Sequence, residues 1–269
     1  MMIDQNTPVD YNDAQHLYSY AGRKYTSASQ TVELFANEFK TQEVAERYAA
    51  KHGMTPEYWI QKWAEKNAAS KVRGNAIHEA NETALQGAMI AKVENRIMPV
   101  IGDTIMDEQP WYTRPDGVYL ERKLWHHGYF IAGRADKIIL RTEYDDLNNL
   151  SERRIQRRYA DIEDYKTNEK LDWKSYQYKS GSYKMMKPPL AHLMDCNGTH
   201  YKLQLSIYMF MLEYQGFTPG NITVIHYPHP TEDNPNPKPI RYPIEYMKKE
   251  VVLMVNFMNR KKTPYAAAV

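Results

Sequence analysis

Three strand-like segments follow one another in the middle of the chain, and a polar pair closes the third. They cover residues 118–121, 129–140 and 154–167. Gly128 predicts a hairpin turn between the first two segments. Side chains alternate faces along a strand, so Asp164 and Lys166 are expected to project on the same side. A carboxylate and an ammonium side by side at a strand end can hold a hard cation and steady a hydroxide beside it.

Helices are predicted before and after these strands. Capping residues, a Thr-Pro-Glu start and glycine stops delimit them. The predicted helices cover residues 27–39, 41–51, 55–70, 74–85, 201–214 and 244–260. A small hairpin is expected over 17–25, a strand at 221–227 and an edge strand at 240–243. Helices, then strands, then helix and strand indicate an α/β or α+β fold with a central mixed β-sheet flanked by helices.

Composition narrows the class of protein only slightly. A chain of 269 residues that is 42% hydrophobic and 25% charged is typical of a globular protein with a sizeable core. The net charge of +2 creates no global field, so a nucleic-acid surface would need local clustering of cations. Cys196 is the only cysteine, which excludes a disulfide framework and fits a reducing compartment. With no signal-like N-terminus and no bilayer-length apolar run, we expect a cytoplasmic protein without a membrane partner.

Three more motifs accompany the Asp164–Lys166 pair. They are Gly74-Asn75-Ala76-Ile77-His78, Gly133-Arg134-Ala135-Asp136 and Gln204-Leu205-Ser206-Ile207-Tyr208. Asp136 and Asp164 fall near corresponding ends of two strands and would form a half-shell of oxygen ligands for Mg²⁺ or Mn²⁺. Lys166 could donate to the attacking water or the scissile phosphate. His78 would complete the shell, and its ring nitrogen suits Mn²⁺ better than Mg²⁺.

The ordered set G-x-x-x-H, G-x-x-D, D-x-K and Q-x-x-x-Y resembles the PD-(D/E)XK nuclease superfamily, in particular its RecB-like branch with the phage-type exonucleases. The resemblance implies one nuclease domain over 1–269 with a restriction-endonuclease-like core. Its N-terminal hairpin and helices would occupy 1–73 and its catalytic core 74–269, with an insertion at 168–199. The implied activity is metal-dependent DNA exonuclease cleavage by metal-activated water, in phage or bacterial recombination, repair or replication.

The resemblance also implies roles for individual residues and for one or two Mg²⁺ or Mn²⁺ ions. The implied metal ligands are His78, Asp136, Asp164 and the backbone carbonyl of Tyr165, with Glu121 added as a further candidate carboxylate on the preceding strand. The implied catalytic residues are Asp136, Asp164 and Lys166. Gln204 and Tyr208, one helical turn apart, would contact DNA or orient the site. The chain has neither the four cysteines of iron–sulfur members nor a G-x-x-x-x-G-K-[ST] motif, so no such cluster and no ATP are expected.

Two further runs are candidate DNA contacts. The first is a dense run of arginines, which suits phosphate contact or a solvated hairpin tip. The second interleaves rings with cations, as a stacking platform for a single strand would, or as a loop folded over the core could. The candidates are Arg154, Arg157, Arg158, Trp173, Lys174, Tyr176, Tyr178 and Lys179. The expected partner is end-bearing DNA, single- or double-stranded, and a single-strand annealing or binding protein is a second candidate.

Each motif also has an ordinary structural interpretation. His78 could be a hydrogen-bonding residue on a helix flank, and Asp164 with Lys166 an ion pair on a strand. Gln204 and Tyr208 could form the polar edge of an amphipathic helix.

For the whole chain, the alternatives are a structure-specific endonuclease on the same fold and a non-cleaving DNA-binding recombination accessory protein. The expected location is the cytoplasm of a bacterial or phage-infected cell.

Overall fold

The computed structural model describes residues 6–102, 109–144 and 156–262. Within them a mixed ten-stranded sheet is flanked by helices, which confirms the predicted mixed α/β architecture. The strands are β1 (Asp10–Asn12), β2 (Leu17–Tyr20), β3 (Arg23–Ser27), β4 (Ile90–Val93), β5 (Arg96–Ile101), β6 (Gly117–His126), β7 (Ile131–Tyr144), β8 (Gln156–Lys166), β9 (Thr218–His226) and β10 (Ile240–Ile244). The helices are α1 (Ala28–Glu33), α2 (Thr41–His52), α3 (Pro56–Ala88), α4 (Asn197–Tyr214) and α5 (Lys248–Lys262).

The centre of the sheet is the run β6-β7-β8-β9. Strand β7 is antiparallel to β6 and β8, whereas β8 and β9 are parallel. Parallel neighbours need a crossover connection, and α4 lies in the chain between them. This helix packs on β6, β7, β8 and β9, and Leu203, Ile207 and Met211 are fully buried in the main core. The packing of α4 therefore determines which side of β7 and β8 is turned towards this helix.

The N-terminal hairpin forms as predicted. Ala21 and Gly22 have φ values of 48° and 76°, the left-handed conformations that a tight two-residue turn requires. Strand β1 extends this hairpin by pairing with β2. Helix α1 begins at the capping box of Ser27 and Gln30 but ends at Glu33, shorter than predicted. Beyond it, the buried Phe35 ring packs on Phe257, so tertiary contacts hold the following chain.

The prediction of separate helices over 55–70 and 74–85 is wrong, because α3 runs unbroken from Pro56 to Ala88. The Arg73 guanidinium, in the expected gap, donates to the carbonyls of Thr167, Tyr227 and Pro228 at 2.8, 3.2 and 2.9 Å. These contacts tie the middle of α3 to the ends of β8 and β9. The expected division between 1–73 and 74–269 therefore falls inside one helix.

The segment 168–199 has little regular structure before α4 begins, apart from the bridges Gln177–Tyr183 and Met185–Met194. Asp195 anchors it. Its carboxylate accepts from the Asn37 amide at 2.7 Å and lies 2.9 Å from Lys184 and 2.8 Å from His200. Burial opposes the charged form, but these partners lower the pKa of Asp195 to about 2. A segment held at such a node is part of the folded domain.

No helix in the described part of the chain is long and apolar enough to cross a membrane.

Candidate metal centre

A row of three carboxylates crosses the middle of the sheet. The register of β6 with β7 pairs Leu120 with Lys137 and Arg122 with Ala135, and by interpolation between these pairs Glu121 lies opposite Asp136. The register of β7 with β8, continued one step beyond the Lys137–Glu163 pair, sets Asp136 opposite Asp164. Directly opposed residues share a face of a sheet, and like charges placed there destabilise it. We call Glu121, Asp136 and Asp164 the acidic row.

Glu121 has an unusual backbone conformation. Its φ is +51°, a region that residues other than glycine rarely adopt. Such strain persists where the surrounding structure imposes it and clusters at functional sites, with a cost of about 1–3 kcal/mol. At this position the strain accompanies a carboxylate that reaches His78.

His78 joins the acidic row from α3. Its Nδ1 lies 3.4 Å from Asp136 Oδ2 and 3.9 Å from Glu121 Oε1. Among the described residues, His78, Glu121 and Asp136 form a group whose ligand atoms all lie within 4.8 Å of one another. The other ring nitrogen, Nε2, is 3.1 Å from the Tyr165 carbonyl oxygen. In the tautomer that donates Nε2–H to this carbonyl, the Nδ1 lone pair faces the carboxylates, as in many metal-binding histidines.

Asp164 and Lys166 lie deeper than this group. Their side chains are 2% and 15% exposed, and Lys166 Nζ is 2.5 Å from Asp164 Oδ2. The two side chains form a short ion pair. Burial favours a neutral Lys166, but Asp164 and Asp136 outweigh it and raise the pKa of the ammonium. Lys166 is therefore a permanent cation beside the acidic row.

The electrostatics of the group fit a divalent cation. Burial, and then the neighbouring Asp164 charge, raise the pKa of Asp136 to about 7. Burial also opposes protonation of His78, but Glu121, Asp136 and Asp164 outweigh it and raise the pKa of the imidazole. Negative charge from neighbouring carboxylates contributes to both shifts, although burial is the larger cause at Asp136. Carboxylate oxygens with one imidazole nitrogen are a donor set that Mg²⁺ and, better, Mn²⁺ accept.

A cleft of about 1220 Å³ opens onto His78, Glu121 and Asp136. Helix α3 lines one side of it, and the start of α1 with the β1–β2 hairpin lines the other. Gly133 lies at its floor, where a Cβ would collide with the Tyr208 ring, so this motif glycine is needed for close approach. Gln204 Nε2 donates to Tyr208 Oη at 3.1 Å, and burial raises the pKa of Tyr208 well above its ordinary value. The Q-x-x-x-Y motif thus supports the floor of the cleft.

The arginine run is only partly within the described residues, since Arg154 lies outside them. Arg157 is exposed on β8. Arg158 donates to the carbonyls of Tyr112 and Arg114 and lies over the Phe217 ring. These contacts favour a structural role for Arg158 over phosphate binding.

The aromatic and basic run divides into two parts. Tyr176 and Tyr178 are exposed, with ring centroids 5.3 Å apart, on a short hairpin that also exposes Lys174 and Lys179. Trp173 instead packs over Gly198 and within 5.5 Å of the Tyr242 ring. A stacking role remains open for the two tyrosines, whereas Trp173 has a packing role.

Three features of this site were not predicted from the sequence. The first is the set of hydrogen bonds from Arg73 to the carbonyls at the ends of β8 and β9, which we call the Arg73 clamp. The others are the wall of the cleft that β1 and β2 form and the position of Arg134. Arg134 belongs to the G-x-x-D motif, but the motif does not predict its partner. In the structure Arg134 Nε is 2.9 Å from Glu121 Oε2. The sequence carries no signal for the hairpin wall, because its contact with the site depends on the parallel pairing of β3 with β7.

Comparison with known proteins adds no assignment. The sequence matches no known protein-family model, and no curated protein is significantly similar to it. The function must therefore be argued from the site itself.

Proposed function

We propose that this protein is a metal-dependent DNA exonuclease of the PD-(D/E)XK type. The observation that carries the proposal is the convergence of His78 with the acidic row and Lys166. These groups come from α3, β6, β7 and β8, and their order along the chain is that of the motifs. A nuclease-like core and a role in phage or bacterial DNA metabolism are part of the same proposal.

The proposed ligands of the first ion are His78 Nδ1, Glu121 and Asp136. Asp164 lies next to them and is near enough to raise the pKa of Asp136. The Tyr165 carbonyl, expected as a ligand, has an alternative role as the acceptor that orients His78. A bound Mg²⁺ or Mn²⁺ would supply an activated water and neutralise phosphate charge.

Lys166 has a definite role in this proposal. An ammonium whose pKa is raised cannot serve as a general base near neutral pH. It can donate a hydrogen bond to the attacking oxygen or to the phosphate, and it can stabilise charge that develops there. Its pairing with Asp164 holds the amine in place until substrate arrives.

The direct test uses end-labelled single- and double-stranded oligonucleotides with Mg²⁺, Mn²⁺ or EDTA. We expect metal-dependent release of nucleotides from an end, and loss of cleavage in Asp164→Ala and Lys166→Ala. The chain offers a matched control in its second D-x-K sequence, Asp172-Trp173-Lys174. The Asp172 side chain is exposed, so Asp172→Asn should retain activity.

Supercoiled circular DNA separates the enzymatic alternatives, because a pure exonuclease needs an end. Linearisation or nicking of the circle would favour an endonuclease. Binding of DNA without any Mn²⁺-dependent product would favour a non-cleaving accessory protein. Full cleavage by Asp164→Ala would contradict the assignment of the site.

A further inference from the structure

The cleft above the metal centre is acidic. Among the described residues its lining includes six carboxylates but only two side chains with a permanent positive charge, Lys71 and Arg134. The carboxylates are Asp13, Glu33, Glu79, Glu82, Glu121 and Asp136. A polyanion that enters such a cleft needs cations at defined points, because each phosphate otherwise meets repulsion.

Arg134 is the cation adjacent to the ion site. Its Nε is 2.9 Å from Glu121 Oε2, while the other oxygen of the same carboxylate lies 3.9 Å from His78 Nδ1. Glu121, itself a proposed metal ligand, thus lies between the guanidinium and His78. The Arg134 side chain is still 39% exposed.

The β1–β2 hairpin supports Arg134 from the other side. The guanidinium carbon lies 5.4 Å from the Tyr11 ring centroid, and Tyr11 stacks on the buried Tyr18 at 4.6 Å. Asp13 Oδ1 is 3.7 Å from an Arg134 nitrogen. The guanidinium is therefore held beside the ion site by a ring and by carboxylates on two sides, a placement that suits bidentate binding of a phosphate.

We propose that Arg134 binds the DNA phosphate that adjoins the scissile phosphate, so that it positions the strand over the metal centre. The inference rests on the proposed function and names a binding residue for it. An ion on Glu121 withdraws charge from the carboxylate that holds Arg134. Metal binding therefore loosens this pair and frees the guanidinium for the substrate, so metal and DNA should bind with positive coupling.

The test measures binding, separately from cleavage. Wild type, Arg134→Gln and the control Arg96→Gln are titrated with a labelled single-stranded oligonucleotide, with Ca²⁺ replacing Mg²⁺ and intact DNA verified on a gel. Arg96 is an exposed arginine of β5 that pairs with Glu143 at 3.7 Å, away from the cleft. Loss of one charge-assisted contact should weaken Arg134→Gln by about 10-fold or more and lower its salt dependence by about one phosphate contact. Arg96→Gln should bind like wild type.

A second measurement distinguishes phosphate binding from a structural role. Mn²⁺ affinity of the DNA-free protein should be unchanged or tighter in Arg134→Gln, because the guanidinium no longer competes for Glu121. Parallel loss of Mn²⁺ and DNA affinity would overturn the proposal, since Arg134 would then act by holding Glu121.

Neutral methylphosphonate linkages locate the contact. Placed singly along the oligonucleotide, they should weaken wild type at a position flanking the cleavage site, and Arg134→Gln should be insensitive at that position. Equal sensitivity of both proteins at every position would also overturn the inference.

If wild type cleaves DNA but Arg134→Gln binds normally, this inference fails and the proposed function stands. If wild type neither binds nor cleaves DNA, the proposed function itself fails.

Discussion

Two rows of charge lie on opposite faces of the sheet and have strands β7 and β8 in common. In the acidic row, Glu121 and Asp136 line the cleft and Asp164 lies deeper beside them. One residue along each strand, the other face carries Lys137 and Glu163, paired at 2.8 Å, with Arg241 on the second Glu163 oxygen. We call these three residues the paired row.

The pKa values follow from this arrangement. Burial opposes ionisation of Glu163, but Lys137 and Arg241 outweigh it and lower its pKa. Burial and Asp164 act together on Asp136 and raise its pKa to about 7. The side chains of Asp136 and Glu163 are similarly buried, 11% and 10% exposed, so the difference comes from their partners. Glu163 has two cationic partners within the chain, whereas among the described residues Asp136 has no cation within 4.0 Å other than the His78 ring, which is why we propose that an external cation binds at the acidic row.

The largest expected effect is on cleavage. Asp136→Asn removes a proposed metal ligand and should lower the Mn²⁺-dependent rate by about 10³-fold or more. Glu163→Gln alters the opposite face and should retain most of the activity of the folded protein. Rates on end-labelled DNA, normalised to the folded fraction, check both. Equal losses in the two variants would mean that the rows are not functionally distinct.

Stability should show the reverse ranking. Glu163→Gln leaves Lys137 buried without a charged partner and should lower the free energy of unfolding by about 3 kcal/mol. Asp136→Asn removes a carboxylate that is poorly compensated without metal, so it should be neutral or stabilising in EDTA. Urea unfolding with EDTA measures both. A strongly destabilised Asp136→Asn would indicate that Asp136 is structural.

The pH dependence in EDTA should separate the rows further. The folded pKa of Asp136 is raised, so its ionisation destabilises the fold as pH rises from about 4 to 7, by at most about 1.4 kcal/mol per pH unit. The folded pKa of Glu163 is lowered, so its contribution is present above about pH 4.5 and is lost as pH falls through its folded value. Wild type should therefore lose stability relative to Asp136→Asn between pH 5 and pH 7. A constant difference across that range would contradict the raised pKa.

The smallest effect is expected at an exposed Lys–Glu pair of the same chemistry. Lys66 on α3 contacts Glu169, with side chains 63% and 51% exposed, against 10% for each member of the Lys137–Glu163 pair. Solvent screening makes the contribution of such pairs small. Lys66→Ala should leave the free energy of unfolding in urea nearly unchanged. A larger loss would show that the Lys66–Glu169 pair holds α3 against the segment after β8.

Local signals in the sequence were sufficient for most elements. Ala21-Gly22 predicted the hairpin, Thr55-Pro56 the start of α3, and Gly216 the end of α4. The break near Gly74 was misjudged, because local propensity does not include the Arg73 clamp on the carbonyls of β8 and β9.

The candidate site was predicted unevenly for a similar reason. Alternation along a strand set Asp164 and Lys166 on one face, and their contact at 2.5 Å agrees with it. Glu121 could be given little weight, because only the register between β6 and β7 sets it opposite Asp136.

The residue types of the site, their order and the faces of their strands are properties of the chain alone, because periodicity and capping act over a few residues. Three features depend on the folded molecule. They are the strand register, the path of α3 over the sheet, and the position of the first hairpin along one side of the cleft. Those features arise from long-range pairing and packing, in which each residue meets partners far away in sequence. That long-range packing pairs Glu163 with two cations and gathers His78 and the acidic row into the proposed metal site.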